Sequence, residues 1–167
     1  MEISIRHYEN SDNGDLFEIY RLPEVTENTS QLPYINSDTV GQLFDNPDNY
    51  TLVAEVEEKV VGHITLFLTN KVRDRHAAFF AIAVHPEFHG RGVGRYLMQR
   101  GIEQADNWLN LVRLELEVHA DNEAACALYH KMGFETEGVK RLSTFKAGKY
   151  IDMLLMSRIR PDFAAEK

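Results

Sequence analysis

The sequence has 167 residues, of which 44% are hydrophobic and 26% are charged, and this favours one domain over residues 1–167. We find neither a signal-peptide pattern nor an apolar run of about 18 residues, so we expect a cytoplasmic protein that does not span a membrane. The net charge of -8 argues against nucleic-acid binding, which needs a broad Lys and Arg surface. The single cysteine, Cys126, excludes an internal disulfide and fits a reducing compartment.

In chain order, the hydrophobic patterns of the first half alternate between strands, helices and one long loop. They predict a strand at 3–5, a helix over 12–20, a loop or broken helix over 22–34, a helix from Ser37 or Asp38 to Phe44, and strands over 51–56 and 60–68 that form a hairpin.

The second half continues with alternating strands and helices. The patterns predict a strand over 79–84 that is buried on both faces, a helix over 92–109, a strand over 114–118, a helix that Asp121 or Asn122 caps and Gly133 ends, and strands from Phe134 and over 150–159. This order of elements predicts a mixed α/β sheet.

Charge is distributed unevenly along the chain. Residues 1–60 hold 3 basic and 13 acidic side chains, residues 61–100 hold 6 and 2, and residues 101–167 hold 9 and 11. A basic middle segment in an acidic protein indicates an anion site beside a surface that accepts a cationic ligand. Uneven charge that serves only solubility is the alternative.

The strongest local signal is a glycine-rich segment between the strand over 79–84 and the long helix. It reads His89-Gly90-Arg91-Gly92-Val93-Gly94-Arg95. Such a turn presents unpaired backbone N–H groups at the positive end of the helix dipole, where a phosphate binds. A P-loop needs Lys followed by Ser or Thr after the last glycine, where this chain has Arg95 and Tyr96. A dinucleotide-binding fingerprint needs its third glycine at position 95. A tight turn that binds no ligand is the alternative.

Two motifs resemble the signatures of the GCN5-related N-acetyltransferase (GNAT) superfamily. His89-x-x-Gly92-x-Gly94 is similar to its (Gln/Arg)-x-x-Gly-x-(Gly/Ala) loop, although His89 departs from the usual Gln or Arg. Residues 122–134 are similar to its Asn-x-x-Ala-x-x-x-Tyr-x-x-x-Gly-Phe signature. The resemblance covers essentially the whole chain. It implies a central, mostly antiparallel sheet that is splayed at the CoA site and flanked by helices.

The resemblance also implies how acetyl-CoA, the co-substrate of this superfamily, is bound. The backbone of residues 89–94 is expected to hold the pyrophosphate, and residues 82–84 are expected to pair with the pantetheine amides like an added strand. The expected cofactor-binding residues are Ile82, Ala83, Val84, His89, Gly90, Arg91, Gly92, Val93, Gly94, Asn122 and Tyr129.

Tyr129 is the expected general acid. A phenol with a pKa of about 10 can protonate a leaving thiolate whose conjugate acid has a pKa near 8.5, and the matching tyrosine has this role in GNAT enzymes. A core aromatic is the alternative. For the general base, Glu117 and His119 on the strand over 114–118 and its end are the candidates. The alternatives are a solvated or structural role for these residues and an ordered water chain that serves as the base.

Residues 22–34 resemble the acceptor loop of a bacterial subgroup that includes amino-acid N-acetyltransferases. Asn28, Gln31 and Tyr34 are the expected acceptor contacts. We therefore expect an acetyl-CoA-dependent N-acetyltransferase that acts on the primary amine of a small molecule, with an amino acid as the first candidate. A protein or peptide N-acetyltransferase and a non-catalytic CoA-binding sensor are the alternatives.

Three histidines fit other roles less well. His85 and His89 flank Pro86, which opposes the continuous helix of a His-Glu-x-x-His zinc motif, so we expect no metal. His63, within the predicted hairpin, is expected to be structural. The sequence predicts no nucleic-acid or membrane partner and leaves a homodimer open.

Overall fold

The computed structural model describes residues 1–164, and these residues form seven strands and six α-helices. The strands are β1 (Ser4–His7), β2 (Asn49–Val56), β3 (Lys59–Phe67), β4 (Ala77–Val84), β5 (Arg113–His119), β6 (Glu135–Lys146) and β7 (Lys149–Ile159). The helices are α1 (Asn13–Tyr20), α2 (Pro23–Thr26), α3 (Ser37–Phe44), α4 (Val93–Asn107), α5 (Glu123–Lys131) and α6 (Pro161–Ala164). Residues 165–167 lie outside the described part, and one domain over residues 1–167 stays a prediction.

The strands form one mixed sheet in the order β1-β2-β3-β4-β5-β7-β6. β4 and β5 run parallel, and every other neighbouring pair is antiparallel. The predicted mixed, mostly antiparallel sheet is therefore confirmed. None of the helices within residues 1–164 is long and apolar enough to cross a membrane.

The two faces of the sheet are covered by different helices. Leu52, Ala54 and Val56 of β2 belong to the core under α4, whereas Val53 belongs to the core under α1 and α3. Successive side chains of a strand point to opposite faces, and directly paired residues share a face. His63, paired with Val53, therefore lies on the face that α1 and α3 cover.

Element ends differ slightly from the predicted ones. Asn36 caps α3, one residue earlier than predicted, because its Oδ1 accepts the Thr39 N–H at 2.8 Å. α4 ends at Asn107, so the exposed Trp108 lies beyond the helix and outside its apolar stripe. The hairpin turn is only Glu57-Glu58, and both residues have a positive φ.

β4 and β5 separate after three residue pairs. Only residues 77–79 of β4 pair with residues 113–115 of β5, while β4 stays paired to β3 as far as Val84. This gap is the splay that the resemblance to the GNAT superfamily implied. The prediction that this strand is buried on both faces is wrong, because Phe79 is 46% exposed at the gap.

Candidate functional site

A cleft of about 1070 Å³ opens where β4 and β5 separate. Its walls come from β3, β4 and β5, from the segment around α2 (residues 24–31), from the N-terminal part of α4, and from α5. Single residues or pairs of α1, α3, β6 and β7 complete the lining. The predicted site residues that line it are Asn28, Gln31, Ile82, Ala83, Val84, His89, Gly90, Gly92, Val93, Gly94, Glu117, His119, Asn122 and Tyr129. Arg91 and Tyr34 are not among its lining residues.

The glycine loop presents free backbone amides to this cleft. Gly90 and Gly92 have φ values of +72° and +86°, which only glycine adopts readily. Gly92 is the N-cap of α4, and the first amide bonded into the helix is that of Tyr96, whose N–H donates to the Gly92 carbonyl at 3.0 Å. The amides of Val93, Gly94 and Arg95 therefore lack helical acceptors, as expected for a phosphate-binding helix start.

His89 has a role inside the loop. Its Nε2–H donates to the Val84 carbonyl at 2.8 Å, which ties the loop to the end of β4. This contact explains how a histidine serves at a position where the superfamily signature has Gln or Arg. The Arg91 guanidinium lies over the ring of Phe88, a lining residue of the cleft, at 5.4 Å from the ring centroid, although Arg91 itself does not line the cleft.

The exposed edge of β4 has free backbone groups. The His85 N–H donates to the Val61 carbonyl of β3 at 2.8 Å. Because backbone groups alternate in direction along an antiparallel pair, Ala83 also points its groups to β3, whereas Ile82 and Val84 point theirs to the gap. His89 occupies the Val84 carbonyl, so the N–H and C=O of Ile82 are the groups best placed for an added strand.

Tyr129 lies at the bottom of the cleft on α5. Its ring packs edge to face with Phe80 and Phe134, at centroid distances of 6.0 and 6.1 Å. Every fully buried side-chain nitrogen or oxygen of residues 1–164 has a hydrogen-bond partner, and the Tyr129 hydroxyl has none among them. The hydroxyl therefore reaches the cleft. Burial raises the pKa of Tyr129, which keeps the phenol protonated.

Asn122 combines two features. Its Oδ1 accepts the Ala125 N–H at 3.3 Å and so caps α5, as predicted, while the residue also lines the cleft. Gly133, with a φ of +92°, follows the last turn of α5 in the left-handed conformation that the sequence indicated. These two residues set where α5 begins and ends, and Tyr129 lies in its last turns.

The two base candidates have different partners. Lys140 Nζ contacts one oxygen of Glu117, Oε1, at 3.0 Å, which leaves Oε2 without a contact among residues 1–164. His119 is buried, and its Nδ1 lies 3.4 Å from Lys146 Nζ. Burial and the nearby Lys146 charge lower the pKa of His119.

A buried chain of polar side chains joins α1, β3 and β2 beside the cleft. The Tyr20 hydroxyl lies 2.7 Å from His63 Nε2, His63 Nδ1 lies 3.0 Å from the Thr65 hydroxyl, and Thr65 lies 2.9 Å from Thr51. Burial lowers the pKa of His63 to about 3, so the ring is neutral. Its satisfied nitrogens fit the structural role that we predicted.

The segment around α2 brings Asn28 and Gln31 to the cleft but not Tyr34. Asn28 Oδ1 accepts a hydrogen bond from Lys146 Nζ at 3.1 Å. Tyr34 has a positive φ and is fully exposed. The structure therefore places two of the three predicted acceptor contacts together, and it places Tyr34 elsewhere.

A model of the Acetyltransferase (GNAT) family matches residues 13–134, which is most of the chain. This protein belongs to the GNAT family. The predicted family and enzyme class, an N-acetyltransferase, are therefore confirmed.

Known GNAT proteins resemble the chain along nearly its full length. It is 40% identical to the L-amino acid N-acetyltransferase AaaT of Escherichia coli K12, over 95% of this chain and 99% of that protein. It is 29% identical to the spermidine N(1)-acetyltransferase of Vibrio cholerae, over 87% of each. The crystal structure of a GNAT acetyltransferase from Streptococcus pneumoniae has a TM-score of 0.82 at 28% identity, covering 95% and 100% of the chains.

Sequence analysis of this GNAT enzyme missed several residues of the site. Tyr20 and Glu24 line the cleft, and Lys146 bonds to two of its lining residues. His63, which was predicted to be structural, also lines the cleft. The acidic character of residues 22–34 pointed toward Glu24. No motif pointed to Lys146, because it lies on β6, far along the chain from its partners.

Proposed function

We propose that this GNAT enzyme transfers the acetyl group of acetyl-CoA to the α-amine of a free amino acid. The observation that carries the proposal is the 40% identity with an L-amino acid N-acetyltransferase, which extends over 95% of this chain. The likeness therefore takes in the acceptor half of the cleft as well as the CoA half.

The residues of the cleft fit acetyl-CoA, the acyl donor of GNAT acetyltransferases. The free amides that follow Gly92 suit the pyrophosphate, and the β4 edge at Ile82 suits the amides of the pantetheine arm. Asn122, on the cleft wall, is the proposed side-chain contact to that arm. When bound, acetyl-CoA supplies an acetyl group activated as a thioester.

In the proposed chemistry, the amine nitrogen forms a bond to the acetyl carbonyl carbon, and the bond from that carbon to sulfur breaks. Tyr129 gives its phenolic proton to the departing sulfur, for which its protonated hydroxyl in the cleft is suited. Glu117 takes the proton that the amine loses, because its Oε2 is uncommitted. Water can also take part of this role for the fraction of the amine that is already unprotonated in solution.

A polyamine is the second candidate acceptor. The acidic side chains of Glu24 and Glu117 both line the cleft, and they suit a cationic amine. The spermidine N(1)-acetyltransferase of Vibrio cholerae is a relative at 29% identity.

A panel of acceptors tests the proposal. Purified protein is incubated with acetyl-CoA and with each free amino acid, spermidine, or a short peptide, and release of the CoA thiol is measured. We expect turnover with one or more free amino acids at a kcat/KM at least tenfold above that for spermidine or peptides. Turnover confined to spermidine would establish the polyamine reading, and turnover confined to peptides would overturn both.

A further inference from the structure

The Lys146 ammonium joins three separate parts of the acceptor half. Its Nζ lies 3.1 Å from Asn28 Oδ1, 3.3 Å from both oxygens of Asp121, and 3.4 Å from His119 Nδ1. An ammonium has three N–H donors and no acceptor. Three partners therefore occupy its three donors, and Lys146 itself has no N–H left for a substrate.

This arrangement determines which nitrogen of His119 carries the proton. Because an ammonium only donates, the His119 Nδ1 facing Lys146 must be the unprotonated nitrogen. A neutral ring then carries its proton on Nε2. The burial and the Lys146 charge that lower the pKa of His119 outweigh the opposing charge of Asp121, so the ring stays neutral.

The Nε2–H of His119 is directed to accessible space. Nε2 has no partner among residues 1–164, yet no fully buried side-chain nitrogen or oxygen of those residues lacks one. His119 is buried apart from the surface that it gives to the cleft wall. It therefore offers a hydrogen-bond donor to the cleft and keeps no free lone pair for a proton.

Glu117 and His119 form a complementary pair. They lie two residues apart on the same face of β5, which separates them by about 6.6 Å along the strand. Glu117 offers an acceptor for an amine proton, and His119 offers a donor for an oxygen. One α-amino acid carries both partners, an amine and a carboxylate, on a single carbon.

We propose that His119 Nε2–H binds the carboxylate of the amino-acid acceptor and that Lys146 is the positioning residue that fixes the required tautomer. This inference rests on the proposed function. It replaces the base role that the sequence suggested for His119. It also predicts discrimination against polyamines, which lack a carboxylate and would leave the His119 donor unpaired.

The test compares a good amino-acid acceptor with its primary amide, in which the carboxylate charge is gone. For the wild type we expect kcat/KM to favour the acid by tenfold or more. In His119→Phe the ratio of kcat/KM for the acid to kcat/KM for the amide should fall by at least tenfold, while the KM for acetyl-CoA stays unchanged. His119→Gln, whose amide N–H₂ reaches a similar position, should keep most of it. An unchanged acid-to-amide ratio in His119→Phe would overturn the inference.

Lys146 variants and NMR test the positioning role. They also keep the inference testable if His119→Phe does not fold. Long-range ¹H–¹⁵N spectra should show His119 of the wild type and of Lys146→Arg with Nε2 protonated and Nδ1 bare. In Lys146→Met the two tautomers should mix, and the acid-to-amide ratio should fall. A wild-type ring protonated on Nδ1 would refute the tautomer assignment.

The same data separate this inference from the proposed function. A wild type that acetylates no amino acid contradicts the proposed function, and the carboxylate site falls with it. A wild type that acetylates amino acids without preferring them over their amides contradicts the His119 site alone.

Discussion

The two halves of the cleft are built by different means. The proposed CoA half is mainly a run of backbone groups, from Ile82 on β4 through the loop to the start of α4. The proposed acceptor half is assembled from side chains of α1, the segment around α2, β3, β5 and β6. A backbone site needs only the right local conformation, whereas a side-chain site needs several elements to meet. Substitutions of side chains can therefore change which acceptor binds without altering the backbone groups of the first half.

Tyr129, which lies where the two halves meet, is expected to give the largest effect. Tyr129→Phe keeps the ring that packs on Phe80 and Phe134 but removes the proton donor. Positioned proton transfer contributes about 10² to 10⁴ in rate, so kcat should fall by that factor with little change in acetyl-CoA affinity. Tyr150→Phe, on the exposed hairpin between β6 and β7, is the matched control and should leave kcat unchanged.

The raised pKa of Tyr129 adds a pH test. Burial favours the neutral phenol, so wild-type kcat should hold past pH 10, where a free phenol is about half ionised. A high-pH decline that is the same in the wild type and in Tyr129→Phe would show that the phenol is not the acid.

Glu117 should give the next largest effect. Glu117→Gln removes the carboxylate proposed to accept the amine proton and should lower kcat/KM by about 10² near pH 7. The loss should shrink as the pH rises toward the pKa of the amino acid's own ammonium group, because the solution then supplies unprotonated amine. Glu115→Gln, on the same face of β5 and outside the cleft, is the control. A loss that stays constant with pH would assign Glu117 to binding.

Gly92 tests the CoA half separately. A side chain at φ +86° is strained although its Cβ would meet nothing within 4 Å, so Gly92→Val acts through the backbone. Calorimetry should show acetyl-CoA binding weakened by at least tenfold, about 1.4 kcal/mol. Gly148→Val carries the same kind of strain, at φ +79° in the turn between β6 and β7, and should leave that affinity unchanged. If Gly92→Val bound acetyl-CoA as tightly as Gly148→Val, the proposal that this loop holds the pyrophosphate would be wrong.

His63 should give the smallest effect on activity, because its contribution is to stability. Its folded pKa of about 3 lies below the unfolded value near 6.5, so only the unfolded chain binds a proton between these values. The free energy of unfolding should therefore fall as the pH drops below about 6.5, by an amount on the order of a few kcal/mol at pH 4. Denaturant titrations of His63→Gln should show a shallower fall. His76→Gln, at an exposed histidine, should follow the wild type.

The sequence by itself determined the order of the elements and the local conformation of the proposed CoA half. Hydrophobic periodicity located the strands and main helices, since it reflects which face each one buries. The glycine loop, the Asn122 cap and the position of Tyr129 on its helix could be predicted from the sequence, because each depends on residues a few positions apart. Local conformation, which short segments of sequence encode, is sufficient for these features.

Only the tertiary structure decided the acceptor half. Lys146 meets Asn28 and His119 because β6, β5 and the segment after α2 come together, and no local pattern encodes that meeting. The same packing leaves Phe79 exposed, although its apolar run predicted a strand buried on both faces. Hydrogen-bond partners and tautomers depend on distances of a few ångströms between distant segments, and the packing of the whole sheet sets those distances.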